Sequence, residues 1–396
     1  MKKIAVMGHG VVGSGVCELM MKNAAVIEKR CREKLEIKYI LDLRSFDGLS
    51  YAQKFIHDFD LLVNDPEVSI VVEVMGGVEP AYSYAKACLE RGKSVVTSNK
   101  ALVAAKGTEL LKIAQEHHVA FLFEAAVGGG IPIIQPLCTA LNANRVTQVA
   151  GILNGTTNFI LTKMIRERES FEKALKTAQE LGYAERDPSA DVEGMDACRK
   201  ICILASLVFG HEFSPETVKT EGITAITDED VRAAEALGYV IKLIGQAKKV
   251  GEKVSLIVAP MLVAKNHPLA SVEDVFNSIL VHGDAVGDAM FYGAGAGKFP
   301  TASAVVSDVM NAAVGNFYTE SMAWKETDPK LQLSHEERVS AFMLRTEDSL
   351  PEDVAARKVS GAVLTNPISE ARVQQLKKEA RIASAVCVFS AEDDHD

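Results

Sequence analysis

Short apolar runs alternate with longer mixed segments over residues 1–130 of the chain. Apolar runs of this kind, bounded by glycine or polar residues, are typical of buried strands in a parallel sheet. The pattern predicts strands at 4–7, 37–41, 69–75, 94–97 and 120–124, and a first helix at 14–21. Strands that alternate with helices predict the α/β class, with a parallel sheet that carries helices on both faces.

A different pattern follows residue 130. Residues 201–209 are apolar on nearly every side, so as a helix they must be buried. Residues 301–313 predict another helix, which follows a glycine-rich stretch. We expect a second, α+β domain over residues 131–325, whose last helices pack back on the first domain.

Strands and helices alternate again in the tail, residues 330–396. The pattern predicts strands at 341–346 and 382–390 and helices at 352–358 and 369–379. This order is similar to a small, degenerate α+β regulatory domain of the ACT type. The glycine that usually follows the first strand is missing, since residues 347–351 read Glu-Asp-Ser-Leu-Pro. Two roles stay open: binding of an amino-acid effector such as threonine, and a structural role that only adds subunit contacts.

A glycine motif joins the first predicted strand to the first predicted helix. It is G-x-G-x-x-G, formed by Gly8, Gly10 and Gly13 with Val11 and Val12 at the helix start. In a strand–turn–helix context, these glycines permit a tight turn, a close approach to a pyrophosphate and close helix–strand packing. The helix N-terminus then attracts the phosphates. The sequence therefore predicts a Rossmann-type, NAD(P)-binding domain over residues 1–130.

Two charged residues follow the second predicted strand. An acid at this place usually holds the ribose 2′-hydroxyl of NAD, whereas a nearby arginine suits the 2′-phosphate of NADP. The chain has both, Asp42 and Arg44. The choice between NAD and NADP therefore stays open.

Further cofactor contacts are expected where strands end. Ligands of such sheets collect outside the carboxyl ends of the strands. Gly76 follows the third predicted strand, and Ser98 and Lys100 follow the fourth. Gly295 and Gly297 precede the helix at 301–313, where they form either another cofactor contact or a hinge.

The most informative segment is a loop rich in carboxylates, residues 182–200. It contains Glu185, Asp191 and Asp196 and leads into the apolar helix. Asp196 and Lys200 are spaced i, i+4 and share a helix face with apolar residues, so we expect both to point inward. Buried charges are costly unless they are paired or used, which favours a polar substrate site with a proton donor. The alternative is an ordinary surface ion pair at the start of a core helix.

Composition narrows the class of protein. The chain has 396 residues, of which 48% are hydrophobic and 24% charged, and its net charge of −10 argues against nucleic-acid binding. No apolar run is long enough to span a bilayer, and the N-terminus does not read as a signal peptide. The 7 cysteines lack metal-ligand spacing, and their odd number is typical of reduced thiols. We expect a cytoplasmic enzyme without a membrane or nucleic-acid partner.

In combination, these segments resemble the homoserine dehydrogenase family. The segments that match, in the family's order, are 8–13, 98–103, 124–132, 151–161, 181–210 and 293–308. The resemblance implies reversible, NAD(P)-dependent conversion of L-homoserine to L-aspartate 4-semialdehyde, in the biosynthesis of threonine, methionine and isoleucine. It also implies that residues 131–325 bind substrate and form a homodimer or a homotetramer.

The resemblance also implies roles for particular residues. The substrate-binding acids are Glu185 and Asp196, with Asp191 in support. Lys200 transfers the proton, and Lys100 is a second active-site lysine that contacts cofactor and substrate.

A sodium site is implied as well. Its ligands are Glu124 and the backbone carbonyls of Val127, Gly129 and Ile131. From the residues alone, this glycine-rich stretch equally predicts a turn that brings the chain close to the cofactor.

Two other functions compete with this reading. An acylating semialdehyde dehydrogenase needs a cysteine nucleophile, and the candidate loop at 154–158 contains none. A non-catalytic protein that senses nucleotides or amino acids would keep the glycine motif, but it would not need Lys200, Asp196 and Glu185 together.

Overall fold

The computed structural model describes residues 1–319 and 324–390. The chain forms two compact units, each built from separate stretches of sequence. The first unit comprises Met1–Asn144, Ile203–Ser214 and Gly293–Thr327, and the second comprises Arg145–Cys202, Pro215–Tyr292 and Asp328–Asp396. The predicted division into domains 1–130, 131–325 and 330–396 stays a prediction, and residues 391–396 of the third lie outside the described residues.

Strands occur in both units. Their bounds in chain order are β1 Lys2–Met7, β2 Leu35–Leu41, β3 Phe55–Ile56, β4 Val68–Glu73, β5 Ser94–Thr97, β6 Phe121–Leu122, β7 Val146–Ile152, β8 Lys219–Thr220, β9 Tyr239–Val250, β10 Lys253–Ala264, β11 Phe276–Gly283, β12 Gly287–Ala294, β13 Val339–Ser340, β14 Phe342–Arg345, β15 Ala355–Val359, β16 Ala362–Thr365, β17 Ile368–Ser369 and β18 Ser384–Val388.

Helices connect these strands and cover the sheets. Their bounds are α1 Val11–Lys22, α2 Ala24–Cys31, α3 Phe59–Val63, α4 Ala81–Glu90, α5 Lys100–Glu116, α6 Ile134–Cys138, α7 Gly155–Arg166, α8 Phe171–Glu180, α9 Ser189–Val192, α10 Met195–Phe209, α11 Asp228–Leu237, α12 Lys298–Ala313 and α13 Glu370–Glu379. Within the described residues, no helix has the length and apolar character needed to cross a bilayer.

The first unit is built on a parallel sheet with the strand order β3-β2-β1-β4-β5-β6. This is the doubly wound order of dinucleotide-binding folds, with the change of direction between β1 and β4. The central strands are buried on both faces, which explains their continuous apolar runs. The predicted α/β class and Rossmann-type sheet are confirmed. Only β3 was not predicted, because its two apolar residues stand alone between polar ones.

Helix α12 packs against α1 in the first unit. The two helices come close at Gly15, where an added Cβ would lie 2.9 Å from the Lys298 side chain. Lys298 also forms an ion pair with Glu18 of α1, with its Nζ 2.7 Å from the carboxylate. A helix from late in the sequence therefore completes the layer beside the glycine motif.

The second unit contains a larger mixed sheet in the order β12-β11-β7-β9-β10-β18-β14-β16-β15, with β8 attached to β10. Strands β9 and β10 form its long antiparallel centre. The tail continues the same sheet, because β18 pairs in parallel with β10 at Met261 and Leu262. The buried core beneath joins Ile244 and Met261 of the centre to Leu344 of the tail.

One predicted element of the tail is wrong. Residues 352–358 were expected to be a helix, but β15 starts at Ala355 and pairs antiparallel with β16. A tight turn with Gly361 at φ 75° connects the two strands. Pairing with β16 outweighs the helix preference of the charged residues. The other predicted tail elements coincide with β14, α13 and β18, and the ACT-like character stays a prediction.

Candidate active site

A buried ion pair lies at the start of α10. The Nζ of Lys200 is 2.8 Å from Oδ2 of Asp196 and donates a second hydrogen bond to the backbone carbonyl of Leu153 at 2.7 Å. Asp196 is 4% exposed and Lys200 is 7% exposed. This burial excludes the alternative of an ordinary surface pair. The two charges are held one helical turn apart, with bonds that compensate part of their desolvation.

Asn154 connects this pair to Asp191. Its Nδ2 donates to Oδ1 of Asp191 at 2.7 Å and to Oδ2 of Asp196 at 3.0 Å. Its Oδ1 accepts a hydrogen bond from the backbone N–H of Thr157 at 2.8 Å, which caps α7. One buried amide thus fixes two carboxylates and a helix start. From the sequence, the polar loop at 151–158 is expected either to line a substrate pocket or to form a capped helix start, and the cap is observed at Asn154.

The remaining predicted substrate residue, Glu185, lies in the same unit with an exposed side chain. Its backbone carbonyl accepts a hydrogen bond from Nε2 of Gln179 at 3.1 Å, at the end of α8. Nearby, the Thr156 hydroxyl donates to the Tyr183 carbonyl at 2.6 Å, which ties the loop to the start of α7. The structure therefore brings Asp191, Asp196 and Lys200 together, while Glu185 stands on the adjoining loop.

In the first unit, the glycine motif forms a tight turn before α1. Gly8 has a φ of 97°, a backbone conformation that favours glycine. A Cβ at Gly13 would overlap the carbonyl oxygen of Gly8, so only glycine permits this packing. Gly10 is the N-cap, and α1 begins with Val11 and Val12, whose N–H groups belong to the first helical turn. These are the features that a bound pyrophosphate requires.

Asp42 and Arg44 follow β2 and contact each other. The guanidinium is bidentate, with Nε 3.0 Å from Oδ1 and Nη2 2.9 Å from Oδ2 of Asp42. This hydrogen bonding by Arg44 holds the pKa of Asp42 well below its usual range. The backbone N–H of His9, inside the glycine motif, donates to Asp42 at 2.7 Å. Asp42 is thus hydrogen-bonded to the glycine motif, while the Arg44 side chain remains 62% exposed.

The predicted residues at the next strand ends occupy the same edge of the sheet. Gly76 follows β4 with a φ of 85° and open space on its Cα. Ser98 follows β5, and Lys100 is the first residue of α5. Glu73, a carboxylate that is fully buried at the end of β4, was not predicted as a site residue. Its only signal was a charge within an apolar strand.

Glu124 is buried beneath the glycine-rich turn. Its carboxylate accepts hydrogen bonds from the backbone N–H groups of Ile133 at 2.6 Å, Ile134 at 2.8 Å and Gln135 at 2.7 Å. Burial raises the pKa of Glu124, and these N–H groups oppose that rise. Among the described residues, no group of three or more His, Cys, Asp and Glu could hold a metal ion. A cation here would have to be held largely by backbone carbonyls.

The glycine-rich turn lies against the start of α12. A Cβ at Gly129 would overlap the carbonyl of Gly295, and the N–H of Gly130 donates to the Ala294 carbonyl at 3.1 Å. Gly297, with φ 120°, is the N-cap of α12. The structure therefore joins the candidate cation turn to the second glycine-rich helix start.

Two family models match the chain. The model described as homoserine dehydrogenase, NAD binding domain, matches residues 8–124, and the model described as homoserine dehydrogenase matches residues 132–310. The first match contains the glycine motif, and the second contains the buried Lys200–Asp196 pair.

Known proteins show the same similarity. The chain is 46% identical to the homoserine dehydrogenase of Synechocystis, over 84% of this chain and 78% of that protein. The crystal structure of a homoserine dehydrogenase from Thiobacillus denitrificans superposes with a TM-score of 0.89 at 35% identity, covering 99% of both chains. A hyperthermophilic archaeal homoserine dehydrogenase in complex with NADPH gives a TM-score of 0.68 at 29% identity, covering 79% of this chain and 98% of that one.

Proposed function

The chain belongs to the homoserine dehydrogenase family, and from this premise we propose that Lys200, Asp196 and Asp191 form its substrate site. The protein is an NAD(P)-dependent oxidoreductase that interconverts L-homoserine and L-aspartate 4-semialdehyde. The observation that carries the residue assignment is the buried Lys200–Asp196 pair, which Asn154 joins to Asp191. A buried lysine between a carboxylate and a carbonyl is positioned to serve as a proton donor.

Lys200 acts on the oxygen of the reacting carbon. When bound, NAD(P) supplies or accepts the hydride. Reduction of the aldehyde leaves negative charge on its oxygen, and the Lys200 ammonium donates the proton that neutralises it. In the direction of homoserine oxidation, Lys200 takes the hydroxyl proton. Asp196 keeps Lys200 in place through the 2.8 Å ion pair.

Carboxylates also suit the other end of the substrate. Homoserine carries an α-ammonium group, which Asp196 and Glu185 can bind by charge-assisted hydrogen bonds. Asp191 supports Asp196 through the shared amide of Asn154. Lys100, at the start of α5, contacts cofactor and substrate in this proposal.

The cofactor is held by the strand ends of the first unit. We assign the pyrophosphate to Gly8–Gly13 with the N–H groups of Val11 and Val12, and further contacts to Gly76, Ser98, Gly295 and Gly297. The exposed Arg44 supports a preference for NADP, while Asp42 supports the use of NAD as well. The complex of an archaeal homoserine dehydrogenase with NADPH supports the use of the phosphorylated cofactor.

The sodium ion is a separate proposal. Glu124 and the carbonyls of Val127, Gly129 and Ile131 form the site, and the carboxylate contributes the lone pairs that its backbone bonds leave. Sodium binding would raise the unfolding temperature by mass action. Thermal unfolding in NaCl and in choline chloride at equal ionic strength tests it, and identical transitions would argue against a sodium site.

Assembly and location follow the same family expectation. We propose a homodimer or homotetramer built through the second unit. Edge strand β12 supports this, because Met290 is 40% exposed and Tyr292 is 54% exposed on it. Light scattering after size-exclusion chromatography gives the subunit number. We place the enzyme in the cytoplasm, in threonine, methionine and isoleucine biosynthesis. None of its 7 cysteines, all of which lie among the described residues, forms a disulfide, which agrees with a reducing compartment.

Initial rates of NAD(P)H formation from L-homoserine test the function. The assignment requires oxidation without added phosphate and without an acyl acceptor. A semialdehyde dehydrogenase of the acylating type would need phosphate and the semialdehyde, and a sensing protein would show cofactor binding without turnover.

A further inference from the structure

A chain of hydrogen bonds connects the ends of β4 and β5. The buried Glu73 carboxylate accepts from the backbone N–H of Met75 at 2.8 Å and from the Thr97 hydroxyl at 2.6 Å. The Thr97 oxygen accepts from the backbone N–H of Asn99 at 2.9 Å. The Asn99 side chain donates to the Gly77 carbonyl at 2.6 Å. Gly77 lies in the turn that starts at Met75, so the hydrogen bonds connect back to the first residue of the set. We call this closed set the Glu73 ring.

The donors and acceptors of the Glu73 ring restrict which side chain can occupy position 73. A hydroxyl has one proton and two lone pairs, so Thr97 can accept from Asn99 while its proton goes to an acceptor. Glu73 is that acceptor, and its second oxygen serves Met75. An amide in place of the carboxylate would direct N–H toward one of these two donors. A buried donor without an acceptor is costly, so the ring specifies an acid at position 73.

The Glu73 ring connects the ends of β4 and β5, where the proposed function places cofactor contacts. Gly76 lies in the turn between Met75 and Gly77, and that turn is tied at both ends. On the other side, Asn99 accepts from the Leu102 N–H at 3.1 Å and so caps α5, whose first residue is Lys100. Ser98 lies between Thr97 and Asn99. A cofactor contact at any of these residues depends on the same carboxylate.

We propose that Glu73 is a positioning residue for cofactor binding and hydride transfer, acting through Thr97 and Asn99 on the Gly76 turn and on Lys100. This inference rests on the proposed function, because it assumes that the cofactor binds at these strand ends. Glu73 itself is fully buried, so we assign it no direct contact with the reactants. Its effect is geometric, and misplacement of contacts by about 1 Å can lower rates by about 10²-fold.

The test uses paired variants of the full-length enzyme. Thr97→Val removes the hydroxyl at nearly constant volume, Thr97→Ser restores it, and Glu73→Gln removes the second acceptor. The matched control is Thr108→Val, since the Thr108 hydroxyl also donates to a glutamate, Glu212, at 2.6 Å in the same unit. NADPH affinity by fluorescence titration, kcat, KM for NADPH and the unfolding temperature are measured for each variant.

We expect Thr97→Val and Glu73→Gln to weaken NADPH binding about tenfold and to lower kcat/KM by about 10–100-fold. Thr97→Ser should recover most of both values, and Thr108→Val should keep the wild-type values at a similar unfolding temperature. Wild-type NADPH affinity and kcat/KM in Thr97→Val would overturn the proposal. Equal losses in Thr97→Val and Thr108→Val would also overturn it, because they would indicate a general loss of stability.

The proposed function is tested separately, by homoserine oxidation in the wild-type enzyme. If the wild-type enzyme does not oxidise homoserine, the function fails, and the NADPH titrations of the four variants still decide the ring. If the wild-type enzyme oxidises homoserine and Thr97→Val and Thr108→Val have the same NADPH affinity, the positioning role of Glu73 is wrong and the proposed function stands.

Discussion

The Nζ of Lys200 and Oδ2 of Asp196 lie 2.8 Å apart on successive turns of α10, and both side chains are buried. An ion pair in this place costs desolvation that an apolar pair would not, so it is weak evidence for stability. Its presence at the start of a largely apolar helix agrees with the proposed use of the charges. The pair therefore defines which variants distinguish a chemical role from a structural one.

Lys200→Ala should lower kcat by about 10²–10⁴-fold, the usual range for loss of a general acid or base. Lys200→Arg is the matched control for charge, because a guanidinium keeps the positive partner of Asp196 but does not release a proton. We expect both variants to lose turnover while NADPH binding persists. Wild-type kcat in Lys200→Arg would show that charge, and not proton transfer, is required.

Asp196→Asn and Glu185→Gln should raise KM for L-homoserine and lower kcat/KM, with the Kd for NADPH nearly unchanged. The reason is that both acids belong to the second unit, whereas the glycine motif belongs to the first. Asp196→Asn should have the larger effect, because Asp196 also holds Lys200. Fluorescence titration gives the Kd, and equal losses of NADPH affinity would contradict this division.

Arg44→Ala should lower kcat/KM with NADPH much more than with NADH. The guanidinium can pair with a 2′-phosphate, and a charge-assisted hydrogen bond contributes about 1.5–3 kcal/mol. In the absence of that phosphate it pairs with Asp42, which the 2′-phosphate would have to displace. Asp42→Asn is the opposite control and should favour NADPH. Equal effects of Arg44→Ala on both cofactors would make Arg44 a solvated loop residue.

Lys242 gives a prediction about stability and pH. It lies on β9, is 2% exposed, and donates to the Val272 carbonyl at 2.5 Å and to Oδ1 of Asn158 at 3.1 Å. Burial lowers the pKa of Lys242 from 10.5 to about 8. Between these values the unfolded chain binds the proton and the folded protein does not, so the free energy of unfolding rises with pH.

The expected rise from this group is about 3 kcal/mol between pH 8 and 10.5, at 1.36 kcal/mol per pKa unit. Lys242→Met removes the titrating group and should flatten that part of the curve relative to wild type. Lys265→Met, at an exposed lysine of the same unit, is the matched control and should run parallel to wild type. The free energy of unfolding is measured by urea unfolding at each pH. If it changed with pH in the same way for all three proteins, the lowered pKa of Lys242 would be contradicted.

Features with a local cause were predictable from the sequence. The strands of the first sheet follow from apolar runs, and the turn at Gly8 and Gly13 follows from positions where a side chain does not fit. The orientation of Asp196 and Lys200 follows from i, i+4 spacing. Each of these depends on neighbours within one or two elements.

Features that join distant segments were not predictable. Asn154 meets Asp191 and Asp196 only because the start of α7 lies beside α9 and the start of α10, and Glu73 meets Thr97 only because β4 and β5 are adjacent strands. Nothing in their local sequence specifies the partner. The error in the tail has the same origin, since the pairing of β15 with β16 decides its conformation.

The proton-transfer role of Lys200 in homoserine oxidation is tested most directly by the rate of that reaction in wild type and in Lys200→Arg, followed as NADPH or NADH absorbance without phosphate. We predict sustained turnover by wild type and a loss of about 10²–10⁴-fold in the variant, at an unchanged Kd for NADPH. No turnover by wild type, or equal turnover by both proteins, would contradict it.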